Sequence, residues 1–330
     1  MRPFIYTGVK TTAEALKAAN ANASSHYLAG GTNLLDLMKE DVARPSELIE
    51  ITNLEHKQIS GNENGGLTIG GMLSNADTAN HHIVRSGYPL LSMAMLSAAT
   101  AQIRNMATNG GNLLQRTRCP YFFEVSMPCN KRAPGSGCGA IKGMNALHAI
   151  FGWNDKCIAV HPSDMAVALA ALGATVEIRK TDGSAKQIAF TDFHRLPGDT
   201  PEKDTNLMEG ELITAIHLPK PDFSTHYHYL KIRERASYAF AIISVAAGLQ
   251  VSDGRIIKAG LAMGGVAHKP WKLTAAENYL AGKVPNQANF QAAAKLAMKD
   301  AKPMKDNKYK VEMGEKAIIR ALSQAYERKA

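Results

Sequence analysis

Leu28-Ala29-Gly30-Gly31-Thr32-Asn33-Leu34 and, further along, Ala107-Thr108-Asn109-Gly110-Gly111-Asn112 are the two stretches that decide the fold. Each sets paired glycines among hydroxyl and amide donors. Glycines lack Cβ atoms, so consecutive backbone amides can approach an anionic group, and Thr32, Asn33, Thr108 and Asn112 add side-chain donors. Around the first stretch, Thr11 or Thr12 predicts a capped helix over 13–20 with Glu14 near its free amides. Residues 26–29 predict a strand broken by the glycines, 34–39 a further helix and 47–51 a second strand. This is a small α/β unit whose glycine turn follows a strand and precedes a helix N-terminus. Two such turns in different subdomains can cradle the diphosphate of a dinucleotide. A Gly-Gly pair is equally an ordinary structural turn. Neither G-x-G-x-x-G nor G-x-x-x-x-G-K-[ST] occurs, which argues against a Rossmann NAD site and a P-loop.

Working outward, 67–70 reads as a hairpin arm after Gly65-Gly66, and 75–84 and 89–99 as helices. A polar segment, 102–112, follows. Asp164–Leu172 is a helix with an acidic first residue, while 175–178 and 211–218 are strands, the latter closed by Pro219. Strands over 227–233 and 244–251 lead to an Asp253-Gly254 turn and a return strand over 256–263. The last third is largely helical, with one apolar stripe over 310–326. Lys295, Lys299, Lys302, Lys305, Lys308 and Lys310 read as a solvated helical face and its linker.

The chain has 330 residues, enough for about two domains. With 45% hydrophobic and 20% charged residues it can bury a core, and disordered, collagen-like and coiled-coil readings are out. The net charge of +9 permits an anionic cofactor, an acidic partner or nucleic acid and selects none. No apolar run approaches the ~18 residues of a membrane span, and Met1–Lys10 has no signal-like apolar region. A soluble subunit without its own export signal is expected.

All four cysteines, Cys119, Cys129, Cys138 and Cys157, fall in one loop-like region with the spacing C-x9-C-x8-C-x18-C. Four thiolates suit Zn²⁺ or a [4Fe-4S] cluster. Paired zinc knuckles and compact ferredoxin spacing are both missing, so iron–sulfur, zinc and free or disulfide cysteines all stay open. His148 and His161 lie near in sequence and read as surface or helix-capping residues. Asp164, after His161-Pro162-Ser163, reads as a helix cap or a cofactor-orienting carboxylate. Lys231, Arg233 and Arg235 alternate along a strand and share a face. No hydrolytic constellation occurs.

Leu28–Leu35, Gln102–Asn112, Asp164, Gly210-Glu211-Leu212-Ile213 and Tyr229–Arg233 together resemble the FAD-binding (medium) subunit of the molybdenum hydroxylase, or xanthine dehydrogenase, family over essentially the whole chain. The resemblance implies an α+β fold: a two-subdomain FAD-binding fold of the PCMH/vanillyl-alcohol-oxidase-like kind, followed by a C-terminal domain of small antiparallel sheet plus helices. The implied boundaries are 1–58 and 59–220 for the FAD-binding subdomains, with a Cys-rich insertion at about 113–160, and 221–330 for the last domain. Leu28, Ala29, Gly30, Gly31, Thr32, Asn33 and Leu34 would form the pyrophosphate loop. Thr108, Gly110, Gly111 and Asn112 would complete the diphosphate and ribityl contacts, and Arg104 would belong to the cofactor site as well. Asp164 would meet the flavin, Leu212 or Ile213 would pack by the isoalloxazine, and Lys231 would stand at its polar edge.

The inserted Leu113–Val160 resembles that of the flavin and [4Fe-4S] subunits of periplasmic aldehyde oxidoreductases, notably at Arg118-Cys119-Pro120-Tyr121-Phe122 and 134–139. By resemblance the four cysteines then hold a [4Fe-4S] cluster. The implied function is an electron-transfer flavoprotein subunit, enzymatic as part of a multisubunit oxidoreductase, with no catalytic residue assigned on this chain. Electrons would come from [2Fe-2S] centres on a small subunit and the organic substrate would react at the molybdenum cofactor of a large subunit. A heterotrimer, an external acceptor, no nucleic acid and no membrane insertion complete the expectation. Location would be periplasmic if a signal-bearing partner carries the folded complex, cytoplasmic otherwise. The rival readings are a 4-hydroxybenzoyl-CoA-reductase-like subunit, a self-contained flavin oxidoreductase and a zinc-bearing binding protein.

Overall fold

Three parallel strands, β1 (Ile5–Gly8), β2 (Ser25–Leu28) and β3 (Glu47–Glu50), form the first sheet in the order β1-β3-β2. The computed structural model describes residues 1–328. The helix Thr12–Ala21 starts where expected: the Thr11 side chain accepts the Glu14 amide and Glu14 reaches back, a capping box. Ala15 and Leu16 of that helix, with Ile49 of β3, make a small core.

A second, antiparallel sheet runs β4-β5-β8-β6-β7, built from β4 (Ile59–Gly61), β5 (Leu67–Gly70), β6 (Thr175–Arg179), β7 (Ala185–Ala189) and β8 (Leu212–Leu218). The helix Asp164–Leu172 is buried at every residue and ends on left-handed Gly173. Its uniformly apolar sequence has no wet face, so it lies between layers, as does Pro89–Ser97. The expected helix over 75–84 is two short ones, Asn75–Asn80 and His82–Gly87, because His81 is extended.

The third sheet is β12-β11-β10-β9: β9 (His226–Ile232), β10 (Ile243–Ser252), β11 (Arg255–Gly264) and β12 (Trp271–Lys272), all antiparallel. Strand alternation sends Ala246 toward the helix Asp164–Leu172 and its core. Val245, Ala247 and Leu249 point oppositely, into a core closed by the helices Thr274–Leu280, Gln287–Met298 and Tyr309–Glu327. The α+β expectation, with a C-terminal antiparallel sheet and helices, holds.

Residues 113–160 carry only two short helices, Pro120–Phe123 and Gly139–Lys142, and isolated bridges between Cys129 and Cys138 and between Asn154 and Cys157. Lys295, Lys299, Lys302, Lys305 and Lys308 are exposed, but Lys310 is not. It is wholly buried, and its ammonium donates to the carbonyls of His148 (3.0 Å) and Gly265 (2.8 Å). Burial draws its pKa down to about 7. Among the described residues, no helix is long and apolar enough to cross a membrane.

Candidate functional site: a dinucleotide cavity

The glycine stretches meet. A Cβ on Gly30 would stand 1.8 Å from the Met106 carbonyl oxygen, so only glycine lets the first turn lie against the segment leading into the second. Between them opens a cavity of about 820 Å³. Its walls include Gly30, Gly31, Thr32, Asn33, Arg104, Gly111 and Asn112, and further on Asp164 and Lys231. Four pieces of chain, distant in sequence, converge on one space.

The remaining expected residues stand behind the wall. Thr108 accepts the Gly111 amide at 3.2 Å as the cap of the helix Asn109–Leu113, so its hydroxyl serves the turn itself. Gly110 donates its amide to the Gly71 carbonyl at 2.7 Å. Leu28, Ala29 and Leu34 flank the turn without lining the cavity, Ala29 packing on the N-terminal core. Leu212 and Ile213, expected against a flavin ring, are buried instead in the N-terminal and central cores. The reason is that β8 is covered on both faces, so neither residue is free to line a cavity.

Asn109 and Ser163, which the sequence did not single out, hold the second turn. Asn109 is fully buried and donates to the Gly70 carbonyl (3.1 Å) and Thr78 Oγ1 (2.8 Å). The Ser163 hydroxyl donates to Asn112 and caps the helix that begins at Asp164. Asp164 therefore is not the cap. Its carboxylate accepts the Tyr229 hydroxyl (2.7 Å) and the Lys231 ammonium (2.8 Å), and Lys231 also donates to the Ser97 carbonyl (3.1 Å). Burial pushes the Asp164 carboxyl up, while Lys231 opposes that push. Tyr229 and Lys231 lie two apart on β9 and so share a face. Arg233 and Arg235 lie past its end; Arg233 reaches the Ser97 carbonyl and Arg235 that of Tyr238.

The histidines differ most from expectation. His148 and His161 are buried and line the cavity. His161 packs on His194, ring centres 4.3 Å apart, and His268 lies buried too. Burial lowers all four: His148 and His194 to about 4, His268 to about 3, and His161 well down. They are neutral near pH 7.

All four cysteines are unpaired and line a second, small cavity with Phe122, Pro128 and Ile158. Thr117, Cys119 and His148 line both cavities, so the two share a wall. Cys119 Sγ is 3.2 Å from His148 Nε2. Burial raises the Cys119 thiol to about 12 and the Cys157 thiol to about 11, so ionising them needs a cation within the set. Among the described residues, no three His, Cys, Asp or Glu side chains converge on a point suited to one metal ion.

Residues 2–221 match the family described as the FAD binding domain in molybdopterin dehydrogenase, and 228–327 the CO dehydrogenase flavoprotein C-terminal domain. The chain belongs to the FAD-binding subunits of the molybdenum hydroxylases. It is 44% identical to the aldehyde oxidoreductase FAD-binding subunit PaoB of Escherichia coli K12, over 98% of this chain and 99% of that one. It is 28% identical to the glyceraldehyde dehydrogenase medium chain of Sulfolobus acidocaldarius, over 92% and 90%. A carbon monoxide dehydrogenase of Hydrogenophaga pseudoflava superposes with a TM-score of 0.78 over 100% of this chain and 99% of that one, at 24% identity, a likeness of fold.

For a subunit of this family the cavity fits its cofactor. The first glycine turn leaves room for a diphosphate, and Asn33, whose buried Nδ2 lacks any partner in the polypeptide, lines the same wall. At the other end Asp164 and Lys231 offer an acceptor and a donor together.

Proposed function

We propose that this chain is the electron-transfer flavoprotein subunit of a molybdenum-containing aldehyde oxidoreductase. The observation that carries the reading is the single cavity joining both glycine turns to the Asp164–Lys231 pair; the 44% identity to an aldehyde oxidoreductase subunit supports the substrate class. Bound FAD supplies one- and two-electron chemistry. The chain binds the diphosphate through the turns and orients the ring's polar edge with Asp164 and Lys231. The Lys231 ammonium, fixed by Asp164 and the Ser97 carbonyl, favours negative charge beside it.

The same proposal places a [4Fe-4S] cluster on Cys119, Cys129, Cys138 and Cys157. What supports it is the donor set: four unpaired thiols round one cavity. Each iron of a cube takes its own thiolate, so the sulfurs need not converge. Large molybdenum and small [2Fe-2S] partner subunits, a heterotrimer and a periplasmic location belong to this reading, and co-purification and fractionation test them. The central experiment is an absorbance spectrum with flavin and metal assays on the purified chain. One FAD and about four irons per chain are expected; zinc in place of iron, or no flavin, would contradict it.

A further inference from the structure

Arg118 lies in the inserted segment, immediately before Cys119, and lines the large cavity. Three separate parts of the chain hold it. Its Nη1 donates to Asp36 Oδ2 at 2.7 Å, on the helix that follows the first glycine turn. The guanidinium carbon lies 5.6 Å from the centre of the Phe123 ring and 5.1 Å from that of Phe240, the latter reaching over from beyond β9. Stacking and the ion pair together fix the plane of the guanidinium.

Its Nε–H is shut off from solvent and has no acceptor in the polypeptide. A buried donor on a charged group is costly to leave unpaired. Asn33 Nδ2 is buried and unpaired in the same way and lines the same cavity. Asn33 Oδ1 accepts the Arg116 amide at 3.0 Å, which ties the glycine turn directly to the segment carrying Arg118. Two unpaired donors, one cationic, thus stand on linked segments beside a turn that admits backbone amides to an anion. A phosphate oxygen is the acceptor this chemistry selects.

We propose that Arg118 binds the diphosphate of FAD, so that the cysteine-bearing insertion also completes the cofactor site. The proposal rests on the FAD reading and adds a ligand from the insertion. Asp36 and the two phenyl rings act as positioning residues for the guanidinium.

The test uses the 330-residue chain stripped of flavin and titrated with FAD and with ADP, which carries the diphosphate but no isoalloxazine ring, at low and high salt. Wild type is compared with Arg118→Met, which keeps the stem, and Arg118→Gln, which keeps a planar donor without charge. Both variants are expected to bind FAD and ADP about ten- to a hundredfold more weakly, with a shallower salt dependence. The melting midpoint of the flavin-free chain should move less than that of the loaded chain. Should Arg118→Met fail to fold, Arg118→Gln carries the comparison. FAD affinity within twofold of wild type overturns the proposal. So does weaker FAD binding with unchanged ADP binding, since the arginine would then act away from the diphosphate. A wild-type chain that binds neither ligand would instead overturn the FAD reading itself.

Discussion

Gly30 carries the closest approach in the site, with the Met106 carbonyl where any side chain would begin. Gly30→Ala must force the two turns apart, at a cost of about 1–3 kcal/mol, and FAD affinity measured by fluorescence titration should fall at least about tenfold. The Lys131–Asp204 pair makes a second prediction. Lys131 is buried and donates to Asp204, which Arg116 also holds at 2.7 Å. Burial pushes the Asp204 carboxyl up, but Lys131 and Arg116 outweigh it and hold it at about 2. A carboxyl with a depressed folded pKa contributes stability above its unfolded pKa, and that contribution is lost as pH falls from about 4 through about 2. Asp204→Asn leaves the Lys131 charge buried alone and should cost about 3–5 kcal/mol in urea unfolding at pH 7. An unchanged midpoint would contradict the pairing. At this scale Gly30, Gly31 and Asn33 as cavity-lining residues were legible because their chemistry is local, whereas Asp164 and Lys231 came from the family resemblance. Tyr229, Asn109 and the buried His148, His161 and Lys310 were not, since their partners lie far off in sequence and burial leaves no mark on a polar residue's letter.

Among the elements, those with local signals were readable. The Thr11 cap, the helix Leu34–Lys39, β5 and the Asp253-Gly254 turn all follow from capping, spacing and turn chemistry. β8 shows the limit. Six of its seven residues are buried, so alternation vanishes and nothing in the sequence says that both faces meet a core. The insertion shows another limit. Its irregular backbone was evident from prolines and glycines, but the wall it shares with the large cavity through Thr117, Cys119 and His148 arises only on folding. If the cysteines hold a cluster, Cys157→Ser should remove most of the iron from the purified chain while FAD stays bound. Iron content equal to wild type would show that Cys157 is not a ligand.

Across the whole molecule, three sheets with different partners are joined by buried helices, and the cavity opens between the turn after β2 and the third sheet's Lys231, Ser244 and Gly264. That junction also gathers the four buried histidines. Burial depresses their folded pKa values below the ordinary 6.5, to about 4 for His148 and His194 and about 3 for His268. Between those values and 6.5 the unfolded chain binds more protons than the folded one, so stability should fall steadily as pH drops from about 6.5 toward 4. Urea midpoints across that window check the slope, and His268→Leu should flatten it; a flat wild-type profile would contradict the buried cluster. The convergence itself is most directly tested by hydrogen–deuterium exchange of the flavin-stripped chain with and without FAD. Exchange of the peptides spanning 30–34 and 110–112 should slow together on adding FAD, the second because its amides, already bonded within the chain, open less often. Protection confined to one of the two segments, or seen in neither, would contradict a shared cavity.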